Sequence, residues 1–439
     1  MKKTTLKAIF ALAAVIALLS NCGGPKTTGA GGGESGTTAV TTRAAARAAA
    51  ATPTAPAEEP DTAWYNEQDE EFWLSKAGQL AGLAQLVNRG NRFAGKTIKL
   101  TANLDISGYT KGAAFNEGKG WIPIGIGFNM FKGAFDGGGK VIRGLSIHDA
   151  TLFSAGLFGR IEGGSVKNLG LTDVNITSGG RTGAVTAILG NGSVEQCYST
   201  GNIKGKAFVG GLVGHVDKKS RVARSYSSAT VTGENYVGGV VGDADGGSTV
   251  TLTYYSGEEV KGNEAVGGVA GGAIGRGSSV TNSYSTGKIA CGSNCGGVIG
   301  KVLDGATVTN TYATGEVSGR TRVGGIAGQV QGAVTGSVAI NLSVKAEGKG
   351  YAGRVTGQSD GKGGSSGNLA FTGIRNSAGN TDWPANRDDK NKYGADINAA
   401  QISNDGTIGG RFTEEKGWTT MRGMLPGFGG GVRVPEHMR

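Results

Sequence analysis

The sequence has few of the residues that enzymes most often use for acid–base and metal chemistry. Only three histidines occur in 439 residues, His148, His215 and His437. They are far apart and none sits in a His-Glu-x-x-His pattern, so the commonest zinc-peptidase signature is missing. Acidic residues occur in short isolated groups, Asp243/Asp245, Glu258-Glu259 and Asp388-Asp389. Such groups read as solvated turn residues rather than paired catalytic carboxylates or a calcium cluster. Four cysteines are too few for a disulfide-built scaffold. No catalytic residue, metal ligand or cofactor is assigned. Lys and Arg total 44 against 34 Asp and Glu, a net charge of +10, but the basic residues are spread along the chain. With no helix-turn-helix, zinc-finger or RNP-type motif, nucleic acid is not an expected partner. Such a spread reads first as a solvated face, with attraction to acidic glycans, lipopolysaccharide phosphates or anionic host surfaces as the alternative.

What the chain does have is glycine, 84 residues of it, in a fixed phase. Gly210-Gly211-Leu-Val-Gly214 returns as Gly238-Gly239-Val-Val-Gly242, Gly267-Gly268-Val-Ala-Gly271, Gly296-Gly297-Val-Ile-Gly300 and Gly324-Gly325-Ile-Ala-Gly328. The steps are 28, 29, 29 and 28 residues. Tyr198, Tyr226, Tyr255, Tyr284 and Tyr312 keep the same beat. Self-similarity at this period marks a stacked repeat. Within a unit, short Val-, Thr- and Tyr-rich runs alternate with turn residues, and none is long enough for a helix. The expected unit is one coil of a parallel β-solenoid, about 28 residues long, with coils about 4.8 Å apart. The repeated glycines predict either a bend with positive φ or a close backbone approach. The tyrosines are expected to stack from coil to coil, with an aromatic sugar-binding strip as the alternative.

Val-Gly-Gly-Leu-Val-Gly together with Asn282-Ser-Tyr-Ser-Thr-Gly287 resembles the GLUG motif repeat of bacterial secreted and surface proteins. Gly120-Trp-Ile-Pro-Ile-Gly125, Phe131 to Gly137, Val141 to Leu145 and Gly156-Leu-Phe-Gly159 resemble the usual lead-in to such repeats. The resemblance extends over about Ala77 to Phe428. It implies an all-β fold, a right-handed parallel β-helix, with a cell-surface location and in several members adhesion. It defines no catalytic residues.

In chain order, residues 1–21 read as a lipoprotein signal peptide. Lys2, Lys3 and Lys7 precede an apolar run from Ala8 to Leu19 that is too short to span a bilayer. Leu18-Leu19-Ser20-Asn21-Cys22 resembles a bacterial lipobox, which makes Cys22 the lipidated residue and the membrane the partner of its acyl chains. Residues 22–62, rich in Gly, Ala, Thr and Pro, read as a flexible tether. Residues 63–107 are expected to hold an N-terminal helical cap, with Leu80, Leu83, Leu86 and Val87 at helical spacing and Gly90 as its stop. Strands are expected from Thr97 onward. Residues 108–204 read as lead-in coils, 205–357 as the regular array, 358–410 as an irregular polar region and 411–439 as a C-terminal cap.

Cys291 and Cys295 flank a turn, aligned with Gly262 and Val266 of the previous unit, and a local disulfide is expected in an oxidising compartment. Cys197 is expected as a buried free thiol. Thr251, Thr281 and Thr309 share one position, but Ala223 and Glu195 end the series, so the threonine ladder is too short for ice binding. The sequence therefore predicts a non-catalytic surface lipoprotein of the outer membrane. Its expected role is an adhesin or interaction module for a glycan or a host or matrix protein. A structural lipoprotein facing the periplasm and a polysaccharide-active β-helix enzyme are the alternatives.

Overall fold

The computed structural model describes residues 57–110, 115–347, 351–360 and 363–439. The expected signal peptide, Cys22 and most of the tether lie outside the described residues. The fold is a parallel β-solenoid. One of its walls is a run of eight parallel strands in strict chain order: Phe158–Glu162, Thr186–Gly190, Val213–Asp217, Val241–Ala244, Ala270–Ile274, Ile299–Leu303, Ala327–Val330 and Thr356–Ser359. At the usual strand spacing this wall is roughly 35 Å long. The remaining strands stack in the same parallel sense around the rest of each coil.

Alternation along each short strand sends every second side chain inward, so each inward position becomes a ladder down the rod. Val166, Val194, Val222, Val250, Val280, Val308 and Val334 form one such ladder, all fully buried. Val209, Val237, Val266, Cys295 and Val323 form another. Because the coils are stacked in register, each apolar rung lies on the next, and no single coil has to bury its own core.

The repeated glycines do not supply positive φ; their role is close approach. A Cβ on Gly210 would lie 2.1 Å from the Val213 carbonyl, and the first glycine of each later coil meets the same obstacle. A Cβ on Gly211 would lie 2.1 Å from the Gly239 carbonyl of the next coil. On Gly242 it would lie 2.3 Å from the Gly214 carbonyl and 2.5 Å from the backbone of Phe208. The three glycines thus allow a sharp corner, a tight stack and a near contact between two walls.

The solenoid begins earlier than Thr97. Glu71–Leu74 is a complete first rung, paired in parallel with Thr97–Leu100. The helix Ala77–Asn88 lies between these two strands in sequence and buries Leu80, Leu83 and Val87 fully. Asn88 anchors its end, accepting from the Gly125 and Ile126 amides at 2.9 and 3.0 Å.

The region 358–410 is less irregular than its composition suggests. Leu369–Phe371 and Ala395–Ile397 add two rungs to the stack. The 372–394 excursion returns to buried Arg354, which donates to the Tyr393 and Gly394 carbonyls and pairs with Asp396 at 2.7 Å. Residues 411–439 do not simply close the end. They run back along the side of the rod, from Ile340, whose carbonyl meets His437 at 2.9 Å, to Leu252, which lies against Gly417.

Candidate functional site

The tyrosine ladder is real but is built with Tyr254 in place of Tyr255. Tyr198, Tyr226, Tyr254, Tyr284 and Tyr312 stack with centroids 5.2, 4.6, 4.9 and 4.9 Å apart and interplanar angles of 7° or less. Tyr255 pairs in register with Ser227 and Ser285 and points into the core. The expected beat slipped by one residue there because the extra length of the next coil falls later, in the Gly275-Arg276-Gly277 turn. Cys197 accordingly shares its column with Ser225, Thr253, Ser283 and Thr311, and it is a buried free cysteine. Burial pushes its thiol up to about 12.

This ladder makes a poor sugar platform. Its ring faces are consumed by one another, and a sugar needs an open face. Trp418, Phe412 and Phe428 of the returning segment cover the Tyr284 and Tyr312 end. At the other end Tyr198 lies over Gly170. The threonine column is longer than expected, Thr251, Thr281, Thr309 and Thr335. Hydroxyl pairs at 2.9 and 3.0 Å link Thr281 to Thr251 and Thr309 to Thr335.

The expected pair Cys291–Cys295 is joined by a disulfide, with Cα atoms 5.8 Å apart. Cys295 occupies a valine position of the core ladder and Cys291 the glycine position between Gly262 and Gly319.

The most chemically loaded place in the molecule is one that sequence reasoning missed. Phe208, Tyr236, Ala265, Asn294 and Arg322 occupy the same position in five successive coils, immediately before the Val-Gly-Gly or Cys-Gly-Gly corner. All five have φ between 52° and 59°. For non-glycine residues this backbone costs about 1–2 kcal/mol each. Each is skipped in the strand pairing, as in Ala207↔Asn235 followed by Val209↔Val237. A bulge of this kind re-aims a side chain, and here it lays the side chains against the neighbouring wall.

The result is an outer column of rings and cations. The Arg181 guanidinium lies 5.1 Å from the Phe153 ring and 5.0 Å from that of Phe208. Phe208 stacks on Tyr236 at 5.3 Å and 10°. Lys301 sits 5.5 Å from Tyr236 and pairs with Glu264 at 2.5 Å. Phe153 is 64% exposed. Beneath Phe208, at 5.4 Å, is His215, whose Nδ1 lies 2.7 Å from Oδ1 of Asp243.

Asp243 is therefore not a solvated turn residue. It lies on the strand Val241–Ala244, opposite His215 in the preceding coil, and is 1% exposed. Burial raises its pKa, against the pull of His215. Burial alone would lower the His215 pKa, but the bond to Asp243 and its charge outweigh this, so the net shift is upward. One signal could have found the pair. His215 and Asp243 are 28 residues apart, one repeat, so adjacent coils had to place them side by side. Asp245 is a turn residue, its carboxylate accepting from the Gly246 amide.

Two further strings have the letters of known motifs without their structural context. Gly90-Asn-Arg-Phe-Ala-Gly-Lys-Thr97 has the letters of a phosphate-binding loop, but it runs from a helix into a strand, the reverse of the required order. Its Lys96 donates to the Glu67 and Asp69 carbonyls at 2.7 and 2.6 Å. Gly363-Gly-Ser-Ser-Gly367 has the letters of a nucleophile elbow, but it leads into a strand and its Ser365 accepts from the Val334 amide. Among the described residues no group of three or more His, Cys, Asp or Glu could hold a metal ion.

Residues 262–290 match the family described as the GLUG motif. The chain is 31% identical over 140 residues to halomucin of Haloquadratum walsbyi, 31% of this chain and 2% of that protein. It is 32% identical over 125 residues to a protein of Evansella cellulosilytica provisionally named a Gly-rich membrane protein, 28% of this chain and 13% of that one. The chain thus spans a small fraction of either relative. Among solved structures, a Bacteroides ovatus protein provisionally described as an immunoglobulin A1 protease aligns with 82% of this chain and 92% of its own, at 17% identity and a TM-score of 0.44.

Proposed function

We propose that this GLUG-bearing solenoid is a non-catalytic interaction module displayed on the cell envelope, an adhesin carried by a lipid on Cys22 at the outer membrane. One observation carries the reading. In the column Phe153, Arg181, Phe208, Tyr236 the last two sit at left-handed backbone positions, and the column adds nothing to the inward ladders. Such strain concentrates at functional sites. A rigid rod that holds rings and cations along one edge is suited to recognition rather than turnover. The relative named as a membrane protein supports an envelope address.

The polysaccharide-active enzyme is a second reading, favoured by the buried Asp243 that orients His215, an arrangement able to position a general base. A periplasm-facing structural lipoprotein is the alternative address.

Protease accessibility on intact cells tests the proposal, comparing wild type with Cys22→Ala. Removal of the wild-type solenoid by added protease, with the variant shed or unprocessed, is the expected outcome. Protection until the outer membrane is opened would end the adhesin reading. Incubation with acidic and neutral glycans addresses chemistry: retained sugar without new chain ends is expected, and new reducing or unsaturated ends would favour the enzyme.

A further inference from the structure

We propose that Arg181 and His215, with the open ring of Phe153 beside them, bind an anionic sugar unit of an acidic polysaccharide. This rests on the surface-module reading and names the ligand class for it.

Several arginines of this molecule are engaged by neighbouring side chains. Arg143 pairs with Asp173, Arg160 with Glu162, Arg221 with Glu195 and Arg354 with Asp396. Arg322 is held by Gln358. The Arg181 guanidinium has no ion pair or hydrogen bond among the described residues, and its Nε is buried without a partner. Its guanidinium carbon lies over the rings of both Phe153 and Phe208. Contact with two rings holds the side chain in place, and its N–H groups can meet a carboxylate or sulfate in a two-point contact.

Asp243 feels the Arg181 charge but makes no ion pair with it among the described residues. Asp243 is buried and engaged by His215 Nδ1. No bond is made at His215 Nε2 among the described residues, and the imidazole side chain keeps 18% exposure. Protonated His215 therefore adds a second donor beside Arg181. Buried Asp243 pins this ring.

Phe153 ends the stack. Arg181 lies on one of its faces, no other ring packs on it among the described residues, and it is 64% exposed. An open aromatic face next to an anion-binding edge is what an acidic pyranose needs: its C–H face lies on the ring and its oxyanion meets the cation. A peptide carboxylate would use the arginine but leave the ring idle.

Binding is measured with the full chain against oligogalacturonate for the carboxylate, dextran sulfate for the sulfate, and neutral dextran. Wild type is expected to bind at least one acidic chain and not dextran, with affinity falling as salt is raised. Arg181→Gln is expected to weaken that binding about tenfold or more. Phe153→Ala, at an exposed ring whose loss leaves the fold intact, is expected to weaken it severalfold. Arg276→Gln, which removes the same charge from an exposed turn, should leave it unchanged. Whichever acidic chain depends on Arg181 identifies the anionic group. Equal binding by Arg181→Gln and Arg276→Gln, or no binding of either acidic chain by wild type, overturns the proposal. Wild type and Arg181→Gln adhering equally to whole target surfaces would sink this site while the surface-module reading stood.

Discussion

Tyr312 donates its phenolic hydroxyl to the carbonyl of Pro426, 114 residues further along the chain. That bond sits in a cluster where Trp418 lies 5.8 Å from Tyr312, 4.8 Å from Phe412 and 4.5 Å from Phe428. The C-terminal segment is therefore a strap on the tyrosine ladder, held by aromatic contact and not by rung pairing. Trp418 is 2% exposed. Trp418→Ala is expected to weaken strap docking by about 3–5 kcal/mol while the coils keep their own ladders. Trypsin should then cut at Arg411, Lys416 or Arg422 before it cuts the coils. Loss of the whole molecule at one rate would mean that strap and solenoid unfold as one unit.

The neighbours Tyr254 and Tyr255 have opposite fates, and hydroxyl deletion separates them. The Tyr255 hydroxyl lies 2.9 Å from the Ala229 carbonyl and 2.8 Å from that of Glu259, inside a cradle closed by Gly239, Gly257 and Gly287. Tyr255→Phe removes the one hydroxyl proton that these two carbonyls share and should cost about 1–3 kcal/mol. Tyr254→Phe removes a hydroxyl from a half-buried ring of the outer stack and should cost less than about 0.5 kcal/mol. Denaturant midpoints in the opposite order would contradict the inward assignment of Tyr255.

The parts of this fold that repeat were legible in the sequence, and the parts that depend on one coil's departures were not. The Gly-Gly corner and the inward valines recur, so period and stacking follow from them directly. The ladder failed only at Tyr255, where two tyrosines were adjacent and the one-residue choice turned on which turn held the extra length. The column of Phe208 and Tyr236 was invisible because its later members are Ala265, Asn294 and Arg322: the backbone position repeats but the residue type does not. His215 and Asp243 were hidden differently. Each is a single departure from its column, and only the 28-residue separation joins them. The first rung at Glu71–Leu74 was obscured because it stands before the helix, outside the beat.

Glycine placement gives a sharp test of close approach. A Cβ on Gly242 would meet backbone on every side, Gly214 O at 2.3 Å, Phe208 C at 2.5 Å and Val209 N at 2.7 Å, none of which can rotate away. Gly242→Ala is expected to destabilise by about 3 kcal/mol, the upper end of overpacking. At Gly430 nothing lies within 4 Å and φ is not in the left-handed region. Gly430→Ala should therefore be close to neutral. Equal melting temperatures for the two variants would show that the corner has room to open.

The His215–Asp243 pair predicts the direction of a pH dependence. Asp243 raises the His215 pKa above its ordinary 6.5, with Asp217 acting the same way and Arg181 opposing. The folded state then holds a proton that the unfolded state releases. Stability from this group is fully present below pH 6.5 and is lost as pH rises through the folded pKa. Burial raises the pKa of Asp243 too, so its own contribution falls in the same direction as pH rises above its ordinary 3.8. The melting temperature of wild type should thus decline as pH rises above 6.5 more than other groups account for. His215→Gln should be less stable at the lower pH, because Asp243 loses its partner, and its decline over that window should be shallower. A steeper decline in the variant than in wild type would reverse the sign argued here and remove the protonated histidine from the pair.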